Sequence, residues 1–204
     1  MIPKLVLASA SPYRARALSD LGYTFESVAA DIDERSAVAA DHKALSLLLA
    51  RSKCEAVAKS FEDAVVLGSD QVGVCDGKLL TKPGSASAAA SQLRHCSGKH
   101  ARFYTSVVVS YPAETVPASN TSDAACVVTE LQYRSLSDQE INTYIGIDNP
   151  LDTAGAFKIE SHGLALFSRV TSDDPSALIG LPLIATMRML RAAGLDPLQQ
   201  NHRA

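Results

Sequence analysis

The chain has 204 residues, enough for one good hydrophobic core or for one core with a modest lobe. Apolar residues make up 47% of it, which excludes disorder, and charged residues 20% with a formal net charge of −3, the balance of an ordinary soluble protein. That mildly acidic balance argues against nucleic acid as the main partner, because a phosphate backbone calls for a basic face, whereas a small phosphorylated ligand needs only a few local cations. No apolar run approaches membrane-spanning length, and Lys4 precedes only a short apolar run rather than a secretory leader. Cys54, Cys75, Cys96 and Cys126 are scattered, with no C-x-x-C and no nearby histidine pair, which argues against a zinc site or a disulfide framework. These features predict a cytoplasmic protein that neither spans nor anchors to a membrane.

In chain order, Leu5-Val6-Leu7-Ala8 reads as a buried strand. Ser11 suits an N-cap and Pro12 the first helical position, so a helix is expected to run to about Leu21 and end at Gly22. A polar loop, Asp31-Ile32-Asp33-Glu34-Arg35, leads to a long helix from about Lys43 to Ser60, with Asp41 near its start. Ala64-Val65-Val66-Leu67-Gly68 reads as a second buried strand. It passes through Ser69-Asp70-Gln71 into a hairpin formed by Val72–Cys75, a turn at Asp76-Gly77, and Lys78-Leu79-Leu80. Thr81-Lys82-Pro83-Gly84 is a loop and Ser85–Cys96 an alanine-rich helix. Strands are expected at Arg102–Tyr111 and Ala124–Tyr133, joined by a mobile hairpin loop at Pro112–Asp123. Ser137-Asp138-Gln139-Glu140 is a capping box that opens a helix to about Ile145. A polar loop with Asp152 and Gly155, a strand at Leu164–Val170 and a helix from Pro182 to Ala193, ended by Gly194, complete the chain. Helices and hairpins interleave, which predicts one α/β domain over residues 1–204 with a mixed twisted sheet and flanking helices, bent into two lobes.

Several residues suit chemistry. The first strand runs into a helix N-terminus with Ser9, Ser11 and Arg14 beside it, where free N–H groups, the helix dipole and a guanidinium all favour an anion. The same residues also suit an ordinary strand–helix junction with a surface arginine. Asp70 follows a buried strand directly, at the edge where α/β sheets bind ligands. It can hold a divalent metal, accept a proton from water, or cap the following turn. Lys82 can return to the same rim as a point charge for phosphate. Asp31, Asp33 and Glu34 can serve a hard metal or form a solvated loop. Lys53, near Arg51, is a surface residue or a second cation. Gly73-Val74-Cys75-Asp76-Gly77-Lys78 is one residue short of a P-loop and lacks its hydroxyl residue. Ser69 and His100 lack a nucleophile elbow. His42, His95 and His162 show no metal spacing and read as surface or structural residues.

Taken together, Leu7-Ala8-Ser9-Ala10-Ser11-Pro12-Tyr13-Arg14, Asp33-Glu34, Lys53, Gly68-Ser69-Asp70-Gln71-Val72, Lys82-Pro83, Ser97-Gly98-Lys99 before Phe103-Tyr104-Thr105, Ala154-Gly155 and Gly180-Leu181-Pro182 resemble the Maf family of nucleotide pyrophosphatases, in one collinear order from about Lys4 to Pro197. The resemblance implies a fold similar to that of inosine-triphosphate pyrophosphatases, with two lobes around a cleft, and a house-cleaning hydrolysis of nucleoside triphosphates to monophosphate and pyrophosphate. It implies catalytic roles for Asp70, Glu34 and Lys82, phosphate binding by Ser9, Ser11, Arg14, Lys53 and Lys82, and a divalent cation, Mg²⁺ or Mn²⁺, on Glu34 and Asp70.

Members acting on dTTP and UTP typically carry Arg after the Ser-Pro, Ala-Asp-Thr at the catalytic strand and a Gln in the later loop. This chain has Tyr13, Ser69-Asp70-Gln71 and Phe157-Lys158-Ile159-Glu160. That pattern resembles the YceF-type branch associated with 7-methyl-GTP. An aromatic ring can stack on a cationic 7-methylguanine, and Glu160 can accept hydrogen bonds from the guanine N1–H and amine, with Gln71 adding a polar contact. Tyr13 stands where the branch typically has Trp, and Arg14 is followed by Ala15 rather than by a second arginine, with Arg16 on a different helix face. The alternatives are pyrimidine-triphosphate specificity and a non-catalytic regulator of septum formation, the latter at odds with the presence of Glu34, Asp70 and Lys82. The expected partner is a small-molecule nucleotide, and a homodimer is compatible with the sequence.

Overall fold

A computed structural model describes residues 3–113 and 121–200. In chain order the elements are β1 (Lys4–Leu7), α1 (Pro12–Asp20), β2 (Glu26–Ser27), α2 (His42–Ala58), β3 (Ala64–Cys75), β4 (Lys78–Leu80), α3 (Ala86–Cys96), β5 (His100–Ser110), β6 (Ser122–Tyr133), α4 (Asp138–Asp148), β7 (Phe167–Ser172), α5 (Leu183–Ala192) and α6 (Pro197–Gln200). Turns of 3₁₀ helix lie at Glu34–Ser36, His162–Leu166 and Pro175–Ile179. The strands form one seven-stranded mixed sheet in the order β2-β1-β3-β5-β6-β7, with β4 paired to β3. β1 runs parallel to β2 and β3, and the remaining pairs are antiparallel.

β1 and the first part of β3 are apolar at nearly every position because both faces of the sheet are covered. Successive side chains point to opposite faces. Leu5, Leu7, Val65 and Leu67 therefore join Leu18 of α1 and Met189 and Leu190 of α5 in one core. Val6, Ala64 and Val66 join Ala50, Cys54 and Val57 of α2 in another. A third core lies at the far end of the long strands, where Leu93, Phe103, Leu131, Ile141 and Phe157 pack beneath α3 and α4. β3, β5 and β6 run through both halves, and a cleft opens between them.

Local chemistry sets the helix boundaries. Ser11 Oγ accepts the Arg14 N–H, Asp41 Oδ1 accepts that of Ala44 at 2.7 Å, and Ser85 Oγ accepts that of Ala88 at 3.3 Å. Ser137 and Glu140 close the capping box in both directions. α1 gives way to Gly22 at φ 82°, as expected. α4 continues past Ile145 to Asp148, where Asn149 adopts a left-handed cap at φ 45°. The segment expected as a strand from Leu164 first makes a 3₁₀ turn, and β7 begins only at Phe167. The Gly163 N–H donates to the Lys158 carbonyl at 3.0 Å, closing a turn in which a Cβ at position 163 would lie 2.3 Å from that oxygen. Of the Pro112–Asp123 connection, residues 114–120 lie outside the described residues, and Ser122 and Asp123 already belong to β6.

The main departure concerns β3. Gly68-Ser69-Asp70-Gln71 does not leave the strand; Ser69, Asp70 and Gln71 pair with Val107, Ser106 and Thr105 of β5. Asp70 therefore sits in mid-strand, not at the strand's C-terminal edge. β5 supplies an unbroken partner on one side, whereas on the other β3 pairs with β1 only as far as Leu67 and with β4 only from Gly73. The open edge between those points floors the cleft.

Gly68 faces α2, and a Cβ there would lie 2.4 Å from the Ala50 carbonyl oxygen and 2.6 Å from the Cys54 nitrogen. Backbone cannot give way as a flexible side chain can, so Gly68→Ala is expected to cost about 3 kcal/mol, near the top of the overpacking range. Gly146, exposed within α4 with nothing near its added Cβ, is the control: Gly146→Ala should stabilise by about 0.5–1 kcal/mol. Urea unfolding of the two variants measures both.

Candidate active site

The period of two that sends Val66 and Gly68 toward α2 sends Asp70 there as well. On α2, the residues facing the sheet recur at helical spacing, among them Ser46, Leu49, Ala50, Lys53, Cys54 and Val57. Lys53 is therefore buried against the sheet, rather than at the surface beside Arg51, which pairs outward with Glu55. Its Nζ lies 2.6 Å from Asp70 Oδ1 and 2.8 Å from Glu34 Oε1. Glu34 reaches it from a 3₁₀ turn whose N-cap, Asp33, accepts the Arg35 N–H at 3.1 Å. Of the three acidic residues in this loop Glu34 alone lines the cleft, with Arg35 beside it; Asp33 is a cap, and Asp31 stands outside. Burial pushes the Asp70 carboxyl above the ordinary carboxylate range, against the pull of Lys53 and Arg14.

The start of α1 supplies the second part. Ser9 Oγ accepts the Ser11 N–H and an Arg14 Nη1–H, both at 3.1 Å. Arg14 Nε donates to the Gly180 carbonyl at 2.8 Å, and Ser69 Oγ donates to the same oxygen at 2.9 Å. The Gly180 turn, at φ 109°, thus holds Arg14 from behind while the guanidinium faces the cleft. Burial lowers the Arg14 pKa, with Asp70 and Glu34 opposing the shift, and the group stays charged. Ser11 serves as the cap of α1 on the same rim. Lys82 is exposed in the loop after β4, which is tied by the Gly84 N–H to the Leu151 carbonyl at 2.9 Å.

The third part lies at the other end of the cleft. Tyr13 OH donates to Asp152 Oδ2 at 2.9 Å, Lys158 Nζ stands 3.7 Å from Asp152 Oδ1 and 6.0 Å from the Tyr13 ring centroid, and Glu160 lines the wall. Burial and Asp152 raise the Tyr13 pKa, so the phenol stays protonated. Gln71 departs from expectation. Its Nε2 donates to Thr105 Oγ1 at 3.0 Å and to the Ala177 carbonyl at 2.9 Å, which turns the amide nitrogen away from any base and into the 3₁₀ turn beneath. Only its carbonyl end is left toward the cleft.

Ser9, Ser11, Tyr13, Arg14, Glu34, Lys53, Asp70, Gln71, Lys82 and Glu160 all line this one cleft, of about 970 Å³. Asp152 and Lys158 were not singled out from the sequence, since nothing in it links a loop residue to a tyrosine 139 positions away. The histidines are structural or peripheral: His95 Nε2 lies 3.0 Å from the Cys75 carbonyl oxygen, His162 Nδ1 lies 2.7 Å from Asp148 Oδ1, and His42 stacks on Tyr104. Among the described residues no three His, Cys, Asp or Glu side chains converge on a metal position, and no helix is long and apolar enough to cross a membrane.

A mixed α/β sheet with an open strand edge, cations over the middle of the cleft and an aromatic ring at its end defines a protein class built around an anionic ligand with a flat group attached. The family model of Maf-like proteins matches residues 4–193, and the chain belongs to that family. It is 42% identical over 197 residues to a protein of Bordetella avium, covering 97% of this chain and 96% of that one. It is 41% identical over 196 residues to one of Xanthomonas campestris pv. campestris, covering 96% and 99%. A protein of Idiomarina loihiensis is 39% identical over 203 residues, covering 97% and 98%. All three relatives bear the name 7-methyl-GTP pyrophosphatase. The Ham1 protein of Staphylococcus aureus is similar in structure with a TM-score of 0.46 and 13% identity, over 79% of this chain and 90% of that one.

Because the folded protein holds the Asp70 proton more tightly than the unfolded chain, this group contributes stability that is full below the unfolded pKa and lost as pH rises through the folded value. Lys53 limits that loss. In Lys53→Met the folded pKa of Asp70 should rise further, so unfolding free energy should fall more steeply than in the wild type as pH climbs from the ordinary carboxylate range. Urea titrations across pH measure the slope; parallel curves would show that Lys53 does not set the charge of Asp70.

Proposed function

We propose that this chain is a nucleoside triphosphate pyrophosphatase that hydrolyses 7-methyl-GTP to 7-methyl-GMP and pyrophosphate. The observation carrying this reading is the division of one cleft into two ends. Arg14, Lys53 and Lys82, with the hydroxyl of Ser9 among them, form a cationic stretch beside two carboxylates, and Tyr13 with Glu160 forms an aromatic and acidic end. The names of the relatives support the same substrate. The aromatic ring offers a stacking face to a cationic purine, and Glu160 offers acceptors to the guanine N1–H and amine. A pyrimidine would use neither well. The substrate is a free nucleotide rather than nucleic acid, in keeping with the net charge of −3, and the compartment is the cytoplasm, in keeping with four free cysteines.

In this mechanism Asp70 orients a water and takes its proton as the water oxygen attacks the α-phosphorus. The bond from that phosphorus to the bridging oxygen breaks, and pyrophosphate leaves. Arg14, fixed by Ser9 and Gly180, and Lys82 stabilise the charge shared by the attacked and leaving phosphates. Ser9 and Ser11 line the same stretch. Burial raises the Asp70 carboxyl in the free protein and a cation bound to it would lower it again, so the base role is supported by the place of Asp70 in the cleft and not by that shift. The donor set fits a hard divalent cation, which takes one or two carboxylates and completes its shell with substrate phosphates and water. Glu34 and Asp70 would hold Mg²⁺ or Mn²⁺, which when bound supplies positive charge to the triphosphate. Lys53 already stands between those carboxylates with one positive charge, so it supports their proximity with or without the ion.

Pyrophosphate release with Mg²⁺ or Mn²⁺ across 7-methyl-GTP, GTP, dTTP and UTP should be fastest with 7-methyl-GTP; faster turnover of dTTP or UTP overturns the specificity. Asp70→Asn, folded by circular dichroism, should lose about 100-fold or more in turnover. Near-wild-type turnover in that variant ends the proposed role of Asp70.

A further inference from the structure

We propose that Asp152 is a specificity-determining residue that selects a cationic, N7-alkylated purine over a neutral base by charge. This inference rests on the reading of the cleft as a purine nucleotide site. Asp152 lies in the loop after α4, across the mouth of the cleft from α1. Its Oδ2 accepts the Tyr13 hydroxyl at 2.9 Å, so the tip of the stacking ring is tied to the opposite wall. Its Oδ1 lies 3.7 Å from Lys158 Nζ.

Lys158 is the problem that Asp152 solves. The ammonium stands 6.0 Å from the Tyr13 ring centroid, close enough to repel a positively charged base stacked on that ring. Burial works against its charge, but Tyr13, Asp152 and Glu160 outweigh burial and hold it protonated. With Asp152 and Glu160 both present, the base end carries one negative charge in excess. Without Asp152 the excess disappears, and Glu160 alone is left to offset the ammonium of Lys158 over the Tyr13 ring. A neutral guanine is indifferent to this difference at first order, because it carries no net charge for the field to act on. A 7-methylated guanine protonated at N1 is not. The carboxylate is 57% exposed in its side chain, so the effect is modest in size and screened by salt.

The test is the affinity of the wild type and of Asp152→Asn for 7-methyl-GMP and for GMP, by calorimetry. Asparagine keeps an acceptor for the Tyr13 hydroxyl and removes only the charge. The expected result is an affinity for 7-methyl-GMP lower by about two- to fivefold, with that for GMP unchanged. The penalty should shrink in about 1 M salt, and at a pH high enough to remove the N1 proton of the methylated base. Asp152→Ala, which also frees the tyrosine, should weaken both ligands, and 7-methyl-GMP more. A penalty in Asp152→Asn that is absent, equal for the two ligands, or insensitive to salt overturns the proposal. Its fate is separate from that of the proposed activity: a wild type that discriminates the two monophosphates through Asp152 yet releases no pyrophosphate from 7-methyl-GTP keeps the charge selector and loses the reaction.

Discussion

A side chain at position 68 would run into the backbone of α2, and because glycine carries none, that helix lies directly against β3. The closeness is what the cleft is built on. Cys54 Sγ reaches the Val66 carbonyl at 3.2 Å, Ser46 Oγ reaches Ser106 Oγ at 2.7 Å, and between them Lys53 arrives on Asp70. A helix held a Cβ further out would leave the Asp70 carboxylate facing solvent and the lysine short of it. The pair is held in register by the same alternation that fills the apolar core, since Gly68 and Asp70 are neighbours on one face of a single strand.

That arrangement carries an electrostatic tension. Asp70 is 6% exposed, and burial favours its neutral form, while the ammonium of Lys53 and the guanidinium of Arg14 favour the charged one. The balance holds because each cation is itself anchored. Arg14 is gripped by Ser9 and Gly180, and Lys53 by Glu34. The two ends of the cleft are thereby unlike in kind: one is a dense set of buried, paired charges, the other a ring with more exposed charges at its edge.

Much of this was legible in the sequence where a single residue type has one local use. Ser11-Pro12, Asp41, Ser85 and the Ser137–Glu140 box each begin a helix, and the period-two and helical patterns place the core. The candidate residues were legible as a set through the family resemblance, and they do share one cleft. What escaped was decided by partners distant in the chain. Gly68-Ser69-Asp70 carries turn-forming residues, yet β5 pairs along its whole length and keeps it extended. Gln71 looked free to meet a base until the carbonyl of Ala177, 106 positions on, claimed its nitrogen. Lys53 gave no sign of its burial, because the apolar stripe of α2 is weak around it. The turn at Gly163 is closed by a backbone hydrogen bond to Lys158 that only a residue without a Cβ can approach closely enough to make, a contact no residue pattern announces.

The three strands shared by both halves have a mechanical consequence. β3 pairs with β5 over ten successive positions and β5 with β6 over eleven, so the halves are joined by a hydrogen-bonded ribbon rather than by a flexible tether. Such a ribbon bends like a leaf spring and does not swing like a door. The two walls of the cleft are therefore continuous with one another through the sheet, and anything held between them lies across strands that both halves share.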